Sequence, residues 1–336
     1  MRKSRILAGA ALAAAAILTL SACNSGTPGA APSASSGEEE GTWFEVATDT
    51  TLEGSPTFDT ITENGKVRIG VKEDQPGLGY LDQATGERSG FDVDISRWIA
   101  ASLGYDEEDI EFVAIPSANR EQAIVNGDID YYVGTYSITD KRKEQIDFAG
   151  PYFITGQGLL VAADNEDITD VDTLDGAVVC SATGSTSIQR IKDEHPEATT
   201  TEFDTYSQCV EQLKSGQVDA ITTDQAILIG YAAQDPDNLK VVGDVFSEER
   251  YGVGIQKGDT VFVDYVNALF TDGGDIWTAI FEKNLGASGI EVEQPTVDCP
   301  GSGRACAMHA APAPPPHANR GATGRERSDR LPRPVG

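Results

Sequence analysis

The chain has 336 residues, 39% of them hydrophobic, enough for two lobes of ordinary domain size, each with its own core. Its formal charge is −29, and setting aside three cations near the start and a net +4 from residue 300 onward leaves −36 for residues 23–299. A body so acidic argues against nucleic acid or anionic lipid surfaces as partners.

In chain order, residues 1–22 begin with Arg2, Lys3 and Arg5 and continue through an uncharged apolar run. They end in small residues before Cys23, the pattern of an export signal. The apolar run is short for a membrane span with these flanks. "LSAC", residues 20–23, resembles the lipobox of bacterial lipoproteins, which implies lipidation at Cys23 and anchoring on the extracytoplasmic face of the cell membrane. Residues 23–56, rich in Gly, Ser, Pro, Ala and Glu, cannot bury enough apolar surface to fold and read as a disordered tether. The globular part is expected to start near Thr57.

From Lys66 strand and helix signals alternate. "KVRIGV" reads as a strand, and "FDVDISRWIAASLG" carries Phe91, Ile95, Trp98, Ile99 and Leu103 at helical spacing, stopped by Gly104. "IEFVAI" is a strand, "SANREQAIVNG" a helix closed by Gly127, and "IDYYVGT" a strand. The second half repeats this order with "AVVCSA", "STSIQRIKDEH", "TTEFDTY", "SQCVEQLKSG", "DAITT" and "DQAILIGYAAQ". Two further helices are expected near Val261 and Ile276. Alternation of this kind indicates parallel sheets flanked by helices, and the weak echo between the halves suggests two similar lobes with a cleft between them. In an exported chain the interior pair Cys180 and Cys209 favours a disulfide. Residues 298–336, with six Arg, a Pro-rich run and no apolar periodicity, read as either a disordered basic tail or a frameshift product.

The strand "IDYYVGT" runs into "GTYSITDKR", residues 134–142, which gathers Thr135, Tyr136, Ser137, Thr139 and Arg142. Ligands of open α/β sheets bind where strands end and helices begin. Neutral hydroxyl donors beside a planar guanidinium outline a carboxylate site; equally, Ser137 or Thr139 as a helix N-cap with Arg142 in a surface pair accounts for the same residues. In the second half "CSATGSTS" offers Gly184, Ser185 and Thr186 at a helix start but lacks the phosphate-loop pattern. Asp224, directly after "DAITT", suits either an N-cap or the counter-ion of an ammonium group. Neither a nucleophile with its base nor metal-ligand spacing is present, and no cofactor is expected.

"SGFDVDI", "GDIDYYVGTYSITDKR", "IDFAGPY", "GSTS" and "GQVDAITTDQAIL" stand in the order found in the amino-acid-binding proteins of ABC importers, solute-binding family 3, which the chain resembles from about residue 57 to 292. "IGVKEDQPGLGY", "PSANRE", "CSATGSTS" and "DTYSQCVE" are similar to the actinobacterial glutamate-binding lipoproteins. The resemblance implies an α/β, two-lobed periplasmic-binding-protein fold (type II), each lobe a mostly parallel sheet flanked by helices, joined by a two-segment hinge. Lobe 1 is expected over 57–157 plus 245–297 and lobe 2 over 158–244, with crossings near 155–161 and 243–254. It further implies that Thr135, Ser137 and Arg142, joined by Ser185 and Thr186, hold the amino acid's α-carboxylate and that Asp224 meets its α-ammonium. Lys72 and Arg120 stand where acidic-amino-acid binders of the family place cations for a distal carboxylate. The implied function is that of a monomeric, extracytoplasmic lipoprotein, not an enzyme. It would bind L-glutamate, aspartate or glutamine and deliver it to the membrane subunits of an ABC permease. A same-fold dehydratase, a cell-wall lytic enzyme or a sensor domain is the alternative.

Overall fold

The computed structural model describes residues 44–298. The signal, Cys23, the first part of the tether and the basic tail from Cys299 lie outside the described residues.

Helix α1 (Pro56–Asn64) leads into β1 (Val67–Val71) and a small antiparallel sheet of β2 (Asp74–Gln75), β3 (Gly79–Leu81) and β4 (Arg88–Ser89). Next come α2 (Phe91–Ser102), β5 (Ile110–Ala114), α3 (Arg120–Asn126), β6 (Tyr131–Tyr132), α4 (Asp140–Lys143) and β7 (Ile146–Thr155). The chain continues through β8 (Gln157–Ala162), β9 (Val178–Ala182), α5 (Thr186–Glu194), β10 (Thr199–Phe203), α6 (Tyr206–Lys214), β11 (Ala220–Asp224) and α7 (Gln225–Gln234). It ends with β12 (Leu239–Val242), β13 (Glu249–Gln256), α8 (Thr260–Asp272) and α9 (Gly274–Leu285).

One five-stranded sheet runs β5-β1-β6-β13-β7 and the other β10-β9-β11-β8-β12. In each the first two pairings are parallel and the last two antiparallel. The fold is therefore mixed α/β with two sheets flanked by helices, and the three parallel strands of each sheet follow the same second-first-third order. That shared order is the physical form of the echo between the halves. The chain passes from one sheet to the other at Gly156 and returns between β12 and β13. The two passages touch: Phe246 N-H donates to Gln157 O at 2.9 Å and Gln157 N-H to Ser247 Oγ at 3.0 Å. A Cβ on Gly156 would lie 2.4 Å from Ser247 O, so only glycine admits this approach.

Beside the first sheet, α2 turns Phe91, Ile95, Trp98 and Ile99 inward, with the Phe91 ring 5.8 Å from Trp277 and 6.2 Å from Phe281 of α9. Each such side chain contributes about 1.5–3 kcal/mol by leaving water. In the second sheet Cys180 of β9 is bonded to Cys209 of α6, with Cα atoms 5.7 Å apart.

Two expectations are corrected. The tether does not extend to residue 56. Phe44 packs against the core, Ala47 N-H donates to Ala101 O at 2.8 Å, and buried Ser55 caps α1, ahead of Pro56 at its first position. At the other end Asp298, assigned to the tail, pairs with Arg250 at 2.6 Å. The helix α1 and the strands β7, β8, β12 and β13 carried no clear signal. The passages between sheets are runs with glycine and proline at Gly150, Pro151, Gly252 and Gly254, where neither alternation nor helical spacing shows.

Candidate functional site

The loop after β6 is built around Thr135, whose φ of 45° is uncommon for a β-branched residue. Three contacts hold it there. Its N-H donates to Asp92 Oδ2 at 2.9 Å, its hydroxyl to Gln75 Oε1 at 3.1 Å, and its carbonyl accepts from Arg120 Nη1 at 3.3 Å. Asp92 also accepts from the Tyr152 hydroxyl at 2.8 Å. Burial raises this carboxyl to about 6 although both hydrogen bonds oppose the rise. Asp92 thus acts from beneath the loop and not as a surface charge at the α2 N-terminus. Ser137 follows in a single antiparallel bridge with Tyr251, which fastens the loop to β13.

Thr139 caps α4 by accepting from Arg142 N-H at 3.2 Å, so the capping role expected of this stretch is filled. Arg142 is buried, not in a surface pair. Its Nε donates to Glu121 at 3.0 Å, Nη1 to Ser137 O at 2.7 Å, and Nη2 to Gly184 O at 3.3 Å, a carbonyl from the loop after β9 of the other sheet. Burial, and secondarily Arg120, lower its pKa.

Arg120 opens α3 at 2% exposure. Its Nε donates to Ser117 O at 3.1 Å and its guanidinium lies 4.3 Å from the centre of the Tyr136 ring. It forms no ion pair with Glu121 or Glu111. Lys72, just past β1, donates to Ser117 Oγ at 2.8 Å. Burial, reinforced by Arg120, pushes its ammonium down to about 7. Lys72, Arg120 and Arg142 are therefore brought together as three buried cations, of which Arg142 has a carboxylate partner, Glu121.

On the second sheet Asp224 occupies the N-cap position of α7, yet its side chain does not cap the helix. Oδ2 accepts from the Tyr251 hydroxyl at 2.6 Å, while buried Oδ1 has no hydrogen-bond partner. Burial, with Glu249 as the second cause, raises this carboxyl to about 7. A buried acceptor left open in this way fits a cationic donor. Ser185 and Thr186 line one cavity with Arg142 but make no hydrogen bond to it. Ser185 caps α5 and contacts Ser181, and Thr186 donates to Glu249 at 3.2 Å. The loop's contribution there is instead the Gly184 carbonyl.

Backbone from the two sides meets closely. A Cβ on Gly184 would fall 2.7 Å from Ala118 Cα, and one on Gly230 would fall 2.3 Å from Pro76 O. Asp74 joins the sides as well, accepting from Ser207 N-H at 3.1 Å and from the Tyr231 hydroxyl. A cavity of about 520 Å³ at the rim is lined by Ser117, Glu121 and Arg142 from one side and Gly184, Ser185 and Gln189 from the other. Residues that sequence reasoning did not assign to the site are Gln75, Asp92 and Glu121, and Gly184, read there only as part of a loop at a helix start, adds its carbonyl. Gln75 buries an Nε2 without a partner beside Thr135, and its one signal was its place in "IGVKEDQPGLGY". Among the described residues no cluster of His, Cys, Asp or Glu could hold a metal ion.

The model of the bacterial extracellular solute-binding proteins, family 3, matches residues 67–286. The glutamate-binding protein GluB of Corynebacterium efficiens is 42% identical over 258 residues, covering 73% of this chain and 87% of that protein. The glutamine-binding protein of Geobacillus stearothermophilus is 38% identical over 248 residues, covering 74% of this chain and 90% of the relative. Among solved structures, an ancestral arginine-binding protein bound to arginine matches with a TM-score of 0.60 at 34% identity, over 66% of this chain and 99% of the other.

Proposed function

This chain belongs to the bacterial extracellular solute-binding proteins, family 3, and from that premise we propose that it binds L-glutamate in the cleft between its two sheets and delivers it to an ABC permease. The observation that carries the choice of glutamate is the charge of the cleft. Three buried cations, Lys72, Arg120 and Arg142, face an interior where Lys72 and Arg120 have no carboxylate partner. On the opposite side Asp224 keeps a buried oxygen open. A ligand with two carboxylates and one ammonium complements that arrangement, whereas a neutral side chain would leave the Arg120 guanidinium buried and uncompensated and give the Lys72 ammonium no counter-charge.

In this reading the α-carboxylate lies on Arg142 beside Thr135 and Ser137, the α-ammonium on Asp224, and the distal carboxylate between Lys72 and Arg120. Ser185 and Thr186 support the site by shaping the α5 N-terminus next to Gly184. Residues 44–155 with 249–298 form one lobe and 157–242 the other. Each lobe holds part of the ligand's partners, so ligand favours the closed arrangement by its differential affinity, and the permease can recognise that state. No bond is made or broken. The protein acts as a monomer held to the membrane by lipid on Cys23.

Calorimetric titration against the common amino acids tests the reading. Glutamate is expected to bind most tightly, with aspartate and glutamine next. Tighter binding of glutamine or arginine than of glutamate and aspartate would overturn the roles of Lys72 and Arg120, and turnover of the bound ligand would overturn the binding-protein reading itself.

A further inference from the structure

Lys72 stands apart from the other cleft cations in its surroundings. Its ammonium is buried, and the group that anchors it is a neutral hydroxyl, Ser117 Oγ at 2.8 Å. The same residue's carbonyl anchors Arg120 at 3.1 Å, so Lys72 and a permanently charged guanidinium are fastened to one short segment. The carboxylates around it are engaged elsewhere. Glu121 of α3 pairs with Arg142 of α4. Asp74 of β2 accepts from Ser207 and Tyr231. Asp92 of α2 holds Thr135 and Tyr152, and Asp224 accepts from Tyr251. From β6 comes Tyr132, whose phenol burial pushes up, so that it stays neutral. A buried ammonium near two guanidiniums, with the charge of Asp74 opposing them from short of ion-pair distance, sheds its proton more readily than an exposed lysine.

We propose that Lys72 releases its proton in the free protein and regains it from solvent when the ligand's distal carboxylate arrives, so that glutamate and glutamine are distinguished partly by proton uptake. This rests on the glutamate reading above. The depressed pKa, about 7 with burial and then Arg120 as causes, puts the exchange near neutrality. Asp224, raised to about 7, provides an opposite movement, because the ammonium of any amino acid favours its ionised form and expels a proton. At pH 8 Asp224 is already mostly ionised and Lys72 mostly neutral, so the uptake at Lys72 dominates.

The linkage has a definite sign. A free-protein pKa below the ligand-bound one means affinity falls as pH rises through the interval between them, by close to tenfold per unit. The test is calorimetry of the full chain in buffers of different protonation enthalpy. At pH 8, L-glutamate binding should take up close to one proton and L-glutamine binding none, and between pH 7.5 and 8.5 glutamate affinity should fall close to tenfold relative to glutamine. Lys72→Arg, charged throughout, should take up none and lose the slope. Glutamate binding without uptake at pH 8, equal uptake with glutamine, or unchanged uptake in Lys72→Arg would overturn the proposal. If Lys72→Arg binds nothing, the wild-type count and its comparison with glutamine decide. Absence of glutamate binding by the wild-type chain would instead overturn the proposed function.

Discussion

The arginines of the cleft differ in what surrounds them, and that difference separates their expected roles. Arg142 has three donors on protein oxygens, Glu121, Ser137 O and Gly184 O. A guanidinium carries five, so two remain for a carboxylate. With about 1.5–3 kcal/mol for each hydrogen bond between charged groups, Arg142→Ala is expected to weaken every amino acid by at least about 100-fold in calorimetric titration. Arg120→Ala should instead lower the preference for glutamate over glutamine. A uniform loss in Arg120→Ala would mark it as a support of Thr135, whose carbonyl it contacts, and not as a selector. Arg142 could be picked from the sequence because it stands among the hydroxyls of the loop after β6, whereas Arg120 owed its place to the family resemblance. Asp224 was legible as either cap or counter-ion, and its uncapped, half-satisfied carboxylate favours the second. The Glu121 partner and the inward turn of Ser185 and Thr186 were not legible, since side-chain direction at a helix start depends on the tertiary neighbours.

At the scale of elements, loops with left-handed backbone carry the site. Gly184 has φ +75° and room for no Cβ against Ala118. Gly184→Ala therefore meets two obstacles, a strained backbone of about 1–2 kcal/mol and a clash between the two sides of the cleft. The expected outcome is weaker binding of all ligands by about tenfold or more, with a melting temperature lowered by only a few degrees. A variant that bound normally would show that ligand binding does not need so close an approach of the two sides. Helices α2, α5, α6 and α7 could be read from caps and apolar spacing, because those signals are local. The passages through β7, β8, β12 and β13 could not, because their pairing joins residues about a hundred positions apart, as between Thr155 and Glu249. Only the glycines within them hinted at a turn in the path of the chain.

For the whole molecule the question is how the two sides stay together. Asp74 accepts from Ser207 N-H and Tyr231 on the far side, forms no hydrogen bond or ion pair with the proposed ligand groups, and reaches Lys72 only through the field of its charge. At a pH low enough to keep Lys72 protonated, Asp74→Asn is expected to lower affinity for glutamate, aspartate and glutamine by one common factor of a few fold, leaving their ratios intact, because it then shifts only the population of the closed arrangement. Titrations with the three ligands check the common factor, and small-angle scattering without ligand checks the more open shape. Unequal losses would place Asp74 among the selecting residues. The two-body plan itself was legible from the repeated strand-helix order, but the contacts that bridge the bodies join residues too distant in sequence to announce one another.

The bond between Cys180 and Cys209 bears on this in another way. It ties the strand that precedes Gly184 to the helix that carries Ser207. The contact at Arg142 and the contact at Asp74 are thus two points on one stiff arm, joined to the other body by the paired passages at Gly156. An arm of that kind cannot dock at one point and dangle at the other. In the proposed closure this arm is expected to move as one body, so stopped-flow fluorescence of ligand capture should resolve a single exponential for closing, which reduction of the disulfide would split in two.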